Sequence, residues 1–157
     1  MSELTLFVMR HAEATMMAQS DKERRLTAQG KTQARVQGQW LNNLGLNWDV
    51  VLVSPYARAQ ETFDEINQVF ALQLGKQQEI WQGITPYGSA QLVEDYLQVL
   101  LEQGKQNVLL ISHLPLVDEI VKRLCQQNPA KFYPATVVEI VWNGKLGRVE
   151  KMKYVTE

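Results

Sequence analysis

Leu4-Thr5-Leu6-Phe7-Val8-Met9 runs directly into Arg10-His11. A nearly continuous apolar run of this length reads as a strand buried on both faces, the kind that helices cover in a parallel sheet. It ends in a cation and an imidazole, and charge next to a buried strand needs a partner. A second run, Val108-Leu109-Leu110-Ile111, ends in Ser112-His113, and His11 and His113 are the chain's two histidines. A third, Val50 to Ser54, leads into Pro55-Tyr56-Ala57-Arg58, and Val137 to Trp142 gives a fourth.

Helical patterns separate these runs. Thr27 is placed as the N-cap of a helix reaching about Leu44, with Gly45 as its stop. Ser54-Pro55 is expected to open a second helix, as capping serine and first-turn proline, continuing to about Phe70. Ser89 to about Gln103 carries Leu92, Val93, Tyr96, Leu97 and Leu100 on one face, and Leu116 to Cys125 forms a fourth helix. The tail, Val137 to Trp142, Asn143-Gly144 and Lys145 to Tyr154, reads as a β-hairpin with an Asn-Gly turn. The expected fold is α/β: a three-layer sandwich with a mostly parallel central sheet, an antiparallel element and helices on both faces.

Bulk properties narrow the function. The 157 residues fit one domain spanning 1–157, with 45% hydrophobic and 21% charged residues and a net charge of -1. That balance leaves no footprint for nucleic acid or an acidic membrane surface. The single cysteine, Cys125, excludes an internal disulfide, fits a reducing compartment and reads as a small buried hydrophobe. Neither a secretory signal nor an apolar run long enough for a membrane helix is visible, so a cytoplasmic protein is expected. Two distant histidines and one cysteine do not make a metal-ligand cluster, and no metal or cofactor is expected.

Ligands of such folds bind outside the carboxyl ends of the strands. Three exits therefore matter: Arg10-His11, Ser54 to Arg58, and Ser112-His113. Arg58 falls in the first turn of a helix, where the macrodipole disfavours a cation. An anion between them resolves the conflict, because helix N-termini and guanidinium forks both bind phosphate. Each of these residues alone has a plainer reading, as a solvated arginine or a hydrogen-bonded polar residue. Two imidazoles and two arginines at neighbouring exits are harder to explain as packing.

In this order and spacing the segments resemble the histidine phosphatase superfamily. Leu6 to Ala14 is similar to its Arg-His signature, Val53 to Thr62 to its second block, and Ile111-Ser112-His113 to its third. Arg24-Arg25-Leu26-Thr27-Ala28-Gln29-Gly30 resembles its Arg-x-Leu-Thr-x-x-Gly segment. The short length, Ile84 to Gly88 and Ile111 to Val117 look most like the SixA-type phosphohistidine phosphatases. The resemblance implies His11 as nucleophile, Arg10 and Arg58 as clamps on the phosphoryl oxygens, His113 as a further donor, and Arg24 flanking the pocket. It also implies a phosphohistidine-bearing phosphotransfer or signalling protein as substrate. A monomer is the expected state.

Many relatives carry an acid after the third extended segment. Here that position falls at Gln82 or Gly83, neither of which donates a proton usefully. Glu13, Asp21 and Glu79 are the alternatives. An alkoxide leaving group needs general-acid help, whereas phosphohistidine can release a neutral imidazole from a labile P–N bond. The missing acid thus favours phosphohistidine over sugar phosphates, and the absence of a long lid insertion agrees. A small-molecule phosphatase using one of those carboxylates and a non-catalytic phosphate-binding module are the competing readings. Trp81 and Tyr87 are candidates for a docking rim, packing being the plainer role.

Overall fold

Alternate residues of the first strand face two different cores, and those cores define the layers. The computed structural model describes residues 2–155. Strand β1 (Leu4–Arg10) turns Leu4, Leu6 and Val8 into one apolar cluster and Phe7 and Met9 into the other. Helix α1 (Ala28–Asn43) and helix α2 (Ala57–Val69) cover the second cluster through Ala34, Leu41, Phe63 and Ile66. Helix α3 (Ala90–Glu102) and helix α4 (Leu116–Cys125) cover the first through Val93, Leu97, Ile120 and Val121. Each fully buried Leu, Val or Phe contributes about 1.5–3 kcal/mol, so both faces of the sheet hold it in place.

The remaining strands are β2 (Val50–Val53), β3 (Gln78–Ile80), β4 (Asn107–Ser112), β5 (Val137–Trp142) and β6 (Gly147–Lys153). They form one six-stranded sheet in the order β3-β2-β4-β1-β5-β6. β1, β2, β3 and β4 run parallel, whereas β5 is antiparallel to β1 and to β6. The three-layer α/β fold with an antiparallel element is therefore as expected.

Local signals explain most boundaries. Thr27 caps α1 by accepting the Gly30 amide at 2.9 Å, and Gly45 ends that segment at φ +66. Ser89 likewise caps α3 by accepting from the Leu92 amide. Cys125, at the end of α4, is half-buried against the first cluster.

Three expectations need correction. Ser54-Pro55 does not open α2: the helix starts at Ala57, with Tyr56 at its cap and no side-chain cap bond. The Ser54 hydroxyl instead accepts the Tyr56 amide at 3.2 Å and pairs with His113, so it is engaged outside the helix. The β5–β6 connection is a four-residue loop rather than a two-residue Asn-Gly turn, because Trp142 pairs with Gly147. Asn143 Oδ1 closes it by accepting the amides of Lys145 and Leu146, both at 2.9 Å. Strand β3 carries no apolar run and is missed by periodicity; it pairs only along Val51–Val53 at the sheet edge.

Candidate active site

The parallel register brings the three strand exits to one level. Arg10 lies opposite Ser112, and Val53 opposite Ile111. The ladder continues one residue further, with the His11 amide donating to Ser112 O at 3.0 Å and the Ser54 amide to Ile111 O at 3.1 Å. His11, Ser54 and His113 are thereby neighbours. The two imidazole centroids are 5.2 Å apart, and His113 lies 5.1 Å from the Tyr56 ring.

His11 is 7% exposed, and both ring nitrogens are assigned by their partners. Nδ1 lies 2.7 Å from the Ala12 carbonyl, which only accepts, so Nδ1 carries the proton. Arg58 Nε donates to Nε2 at 3.2 Å, so Nε2 presents its lone pair. Burial, with the charges of Arg58, Arg10 and Arg24, pushes the pKa of His11 down to about 3. The ring is therefore a neutral base at physiological pH.

Arg58 is 4% exposed, and each of its three nitrogens makes one hydrogen bond. Besides its bond to His11, Nη1 donates to Asp21 O at 2.6 Å and Nη2 to Asp21 Oδ2 at 3.2 Å, while the guanidinium stacks on Tyr56 at 5.1 Å. Asp21 thus supplies the anion that a cation in the first turn of α2 calls for. Thr62, one helical turn beyond Arg58, donates to Arg58 O at 2.7 Å and accepts the Ala12 amide at 3.0 Å. This buried hydroxyl ties the segment after His11 to α2; its only sequence signal is the i, i+4 spacing.

Arg10 donates through Nη1 to Phe132 O at 2.9 Å, and its Nε is buried without a partner. Burial and the charges of Arg58 and Arg24 lower its pKa. His113 pairs its Nε2 with Ser54 Oγ at 2.7 Å and leaves Nδ1 buried without a partner. Burial, then His11 and Arg58, push its pKa down to about 2. Unpartnered polar nitrogens in a site rich in positive charge suit an anion with several acceptor oxygens.

Arg24 stands at the same site, with Nε on Thr15 O at 2.8 Å and Nη1 on Asp21 Oδ1 at 3.0 Å. The candidate acids fare differently. Glu13 accepts the Thr27 hydroxyl at 2.7 Å, and Glu79, on β3, accepts the hydroxyl of Tyr96 from α3. Only Asp21 touches the cluster, and Arg24, followed by Arg58, holds its carboxyl below the usual carboxylate range. It is an anion, not a proton donor. Trp81 packs on Tyr96 at 5.1 Å, which is a packing role, whereas Tyr87 is 84% exposed.

A cleft of about 680 Å³ is lined by α1 residues with Tyr133, Pro134 and Tyr154, and none of the four cluster residues Arg10, His11, Arg58 and His113 lines it. Chemistry, rather than volume, marks the site. Among the described residues no three His, Cys, Asp or Glu side chains are grouped to share a metal ion. No helix among them is long and apolar enough to cross a membrane.

A mostly parallel sheet with paired imidazoles and arginines at its strand exits defines a phosphoryl-handling class, and residues 6–81 match the family profile of the histidine phosphatase superfamily, branch 1. The chain belongs to that superfamily. It is 52% identical over 152 residues to the phosphohistidine phosphatase SixA homolog of Haemophilus influenzae, covering 93% of each chain. It is 37% identical over 138 residues to phosphohistidine phosphatase SixA of Escherichia coli, covering 87% of this chain and 84% of the relative. The structure of the protein histidine phosphatase SixA complexed with tungstate superposes with a TM-score of 0.89 at 34% identity, covering 95% and 96% of the two chains.

Proposed function

We propose that this chain is a phosphohistidine phosphatase, a single catalytic domain that removes phosphoryl groups from histidine of a phosphotransfer or signalling protein. The observation that carries the reading is the assigned tautomer of His11. Its Nε2 lone pair is held between a carbonyl-anchored Nδ1–H and the Arg58 guanidinium. An imidazole so fixed is a nucleophile for in-line attack on phosphorus.

In this reading Arg10 and Arg58 hold the equatorial oxygens, and Arg24 adds charge at the rim. His113 adds a donor: with the Ser54 hydroxyl donating to its Nε2, Nδ1 carries a proton for a phosphoryl oxygen. These preformed cations and donors stabilise the transition-state charge without needing a metal. The phosphorylated His11 then passes its phosphoryl group to water. Similarity to SixA proteins over nearly the whole chain supports the phosphohistidine assignment, as does the tungstate complex, tungstate being a tetrahedral oxyanion.

The engaged carboxylates favour this substrate over alkyl phosphates. Glu13 and Glu79 are bonded elsewhere, and Asp21 has no proton to give. A protein-bound substrate and a cytoplasmic site of action are parts of the same proposal. The test is a turnover profile across a phosphohistidine protein, a phosphoserine peptide and several sugar phosphates. Preference for the phosphohistidine protein is expected; preference for an alkyl phosphate would reject the reading.

A further inference from the structure

Asp21 sits where a phosphate pocket should not have a carboxylate. It is carried by a short 3-10 turn, Asp21–Glu23, between β1 and α1. Its Oδ2 and its carbonyl oxygen both take hydrogen bonds from Arg58, and its Oδ1 takes one from Arg24. The Asp21 side chain is 49% exposed while that of Arg58 is 5% exposed. The carboxylate therefore lies on the solvent side of the guanidinium that neighbours His11.

An anion there is unfavourable for a phosphate ester. The dianionic phosphoryl group meets a further negative charge on the shared guanidinium, and as an ester's P–O bond breaks negative charge gathers on the departing oxygen. A phosphorylated imidazole differs in one respect. Protonated on its other ring nitrogen, it brings a positive charge and an N–H donor, with both of which a carboxylate at the rim can pair.

We propose that Asp21 determines specificity: its carboxylate accepts the ring N–H of the substrate's phosphoimidazolium and holds the leaving group protonated while the P–N bond breaks. This rests on the phosphohistidine reading above and adds a residue to it. The His11 Nε2 lone pair forms the new N–P bond as the substrate's N–P bond breaks. The released electron pair stays on the substrate nitrogen, and the proton stays on its other nitrogen. The departing ring is then a neutral imidazole, and no general acid is needed. Hydrolysis closes the cycle: water attacks phosphorus, the His11 N–P bond breaks, both water protons leave with dihydrogen phosphate, and His11 keeps its proton on Nδ1.

The test compares wild type with Asp21→Asn and Asp21→Ala on phosphohistidine and on p-nitrophenyl phosphate. The ratio of kcat/KM for phosphohistidine over the ester is expected to fall at least roughly ten-fold in both variants, the factor that one hydrogen bond to a charged group is worth. The alkaline limb for phosphohistidine should move to lower pH, because the protonated ring loses its anionic partner. Inhibition by inorganic phosphate should tighten once the competing carboxylate is gone. Equal losses on both substrates with weaker phosphate inhibition would overturn the proposal and leave Asp21 as a prop for Arg58. An unchanged ratio would also overturn it. A wild type that prefers the ester would instead reject the phosphohistidine reading itself, so the two failures are distinguishable.

Discussion

Arg58 Nε donates to His11 Nε2 at 3.2 Å, joining a residue of α2 to the residue that follows β1. The contact fixes the tautomer of the imidazole and points a fixed positive charge at the Nε2 lone pair that accepts it. The same guanidinium reaches Asp21 through both terminal nitrogens. One side chain thus organises His11, the proposed nucleophile, and Asp21 together.

A lysine cannot reproduce that fork. Arg58→Lys keeps the charge but loses the simultaneous contacts to His11 Nε2 and Asp21. Its kcat on a phosphohistidine protein is expected to fall on the order of 100-fold, as when a preorganised donor is removed. Retention of near wild-type kcat would show that charge alone suffices.

The two histidines provide a direct probe of the site's electrostatics. Burial and neighbouring cations hold His11 at about 3 and His113 at about 2. Both folded values lie below the unfolded value of about 6.5. Between those limits the unfolded chain binds protons that the native chain does not, so stability falls as pH drops from about 6.5 toward 3. In an NMR titration neither ring should change charge between about pH 5 and 8. A normal midpoint near 6.5 for either ring would contradict the site as described.

Gly30 connects the cap of α1 to the segment after His11. A Cβ there would lie 2.0 Å from the Glu13 carbonyl oxygen, which also accepts the Thr27 amide at 3.0 Å. Gly30→Ala is expected to cost about 1–3 kcal/mol in urea unfolding, because backbone must move. Activity should fall with it, since Glu13 is two residues from His11. Wild-type stability in this variant would show that the close approach is not required.

The sequence made the sheet centre and the four-residue cluster legible for a physical reason. β1 and β4 are buried on both faces, so their apolar runs stop where the chain leaves the sheet, at His11 and His113. The rule that ligands gather at parallel strand ends then places Arg58 beside them. What stayed hidden depends on contacts distant in the chain or on weak local signals. β3 is short, polar and at the edge. Arg10 is anchored by a carbonyl 122 positions away, at Phe132. Ser54 looks like a helix cap because its neighbour is proline, yet its hydroxyl serves His113. Asp21 is visible as a candidate acid, but only its contacts with Arg24 and Arg58 reveal it as a fixed anion.

The most direct test of the central claim is to trap the enzyme intermediate. Wild type would be mixed with a phosphohistidine protein carrying radiolabelled phosphate, quenched within milliseconds to seconds, and mapped by mass spectrometry. The expected result is an acid-labile, alkali-stable phosphoryl group on His11, absent from a folded His11→Ala variant that has lost turnover. Label on another residue, or full activity in His11→Ala, would contradict the assignment of His11 as nucleophile.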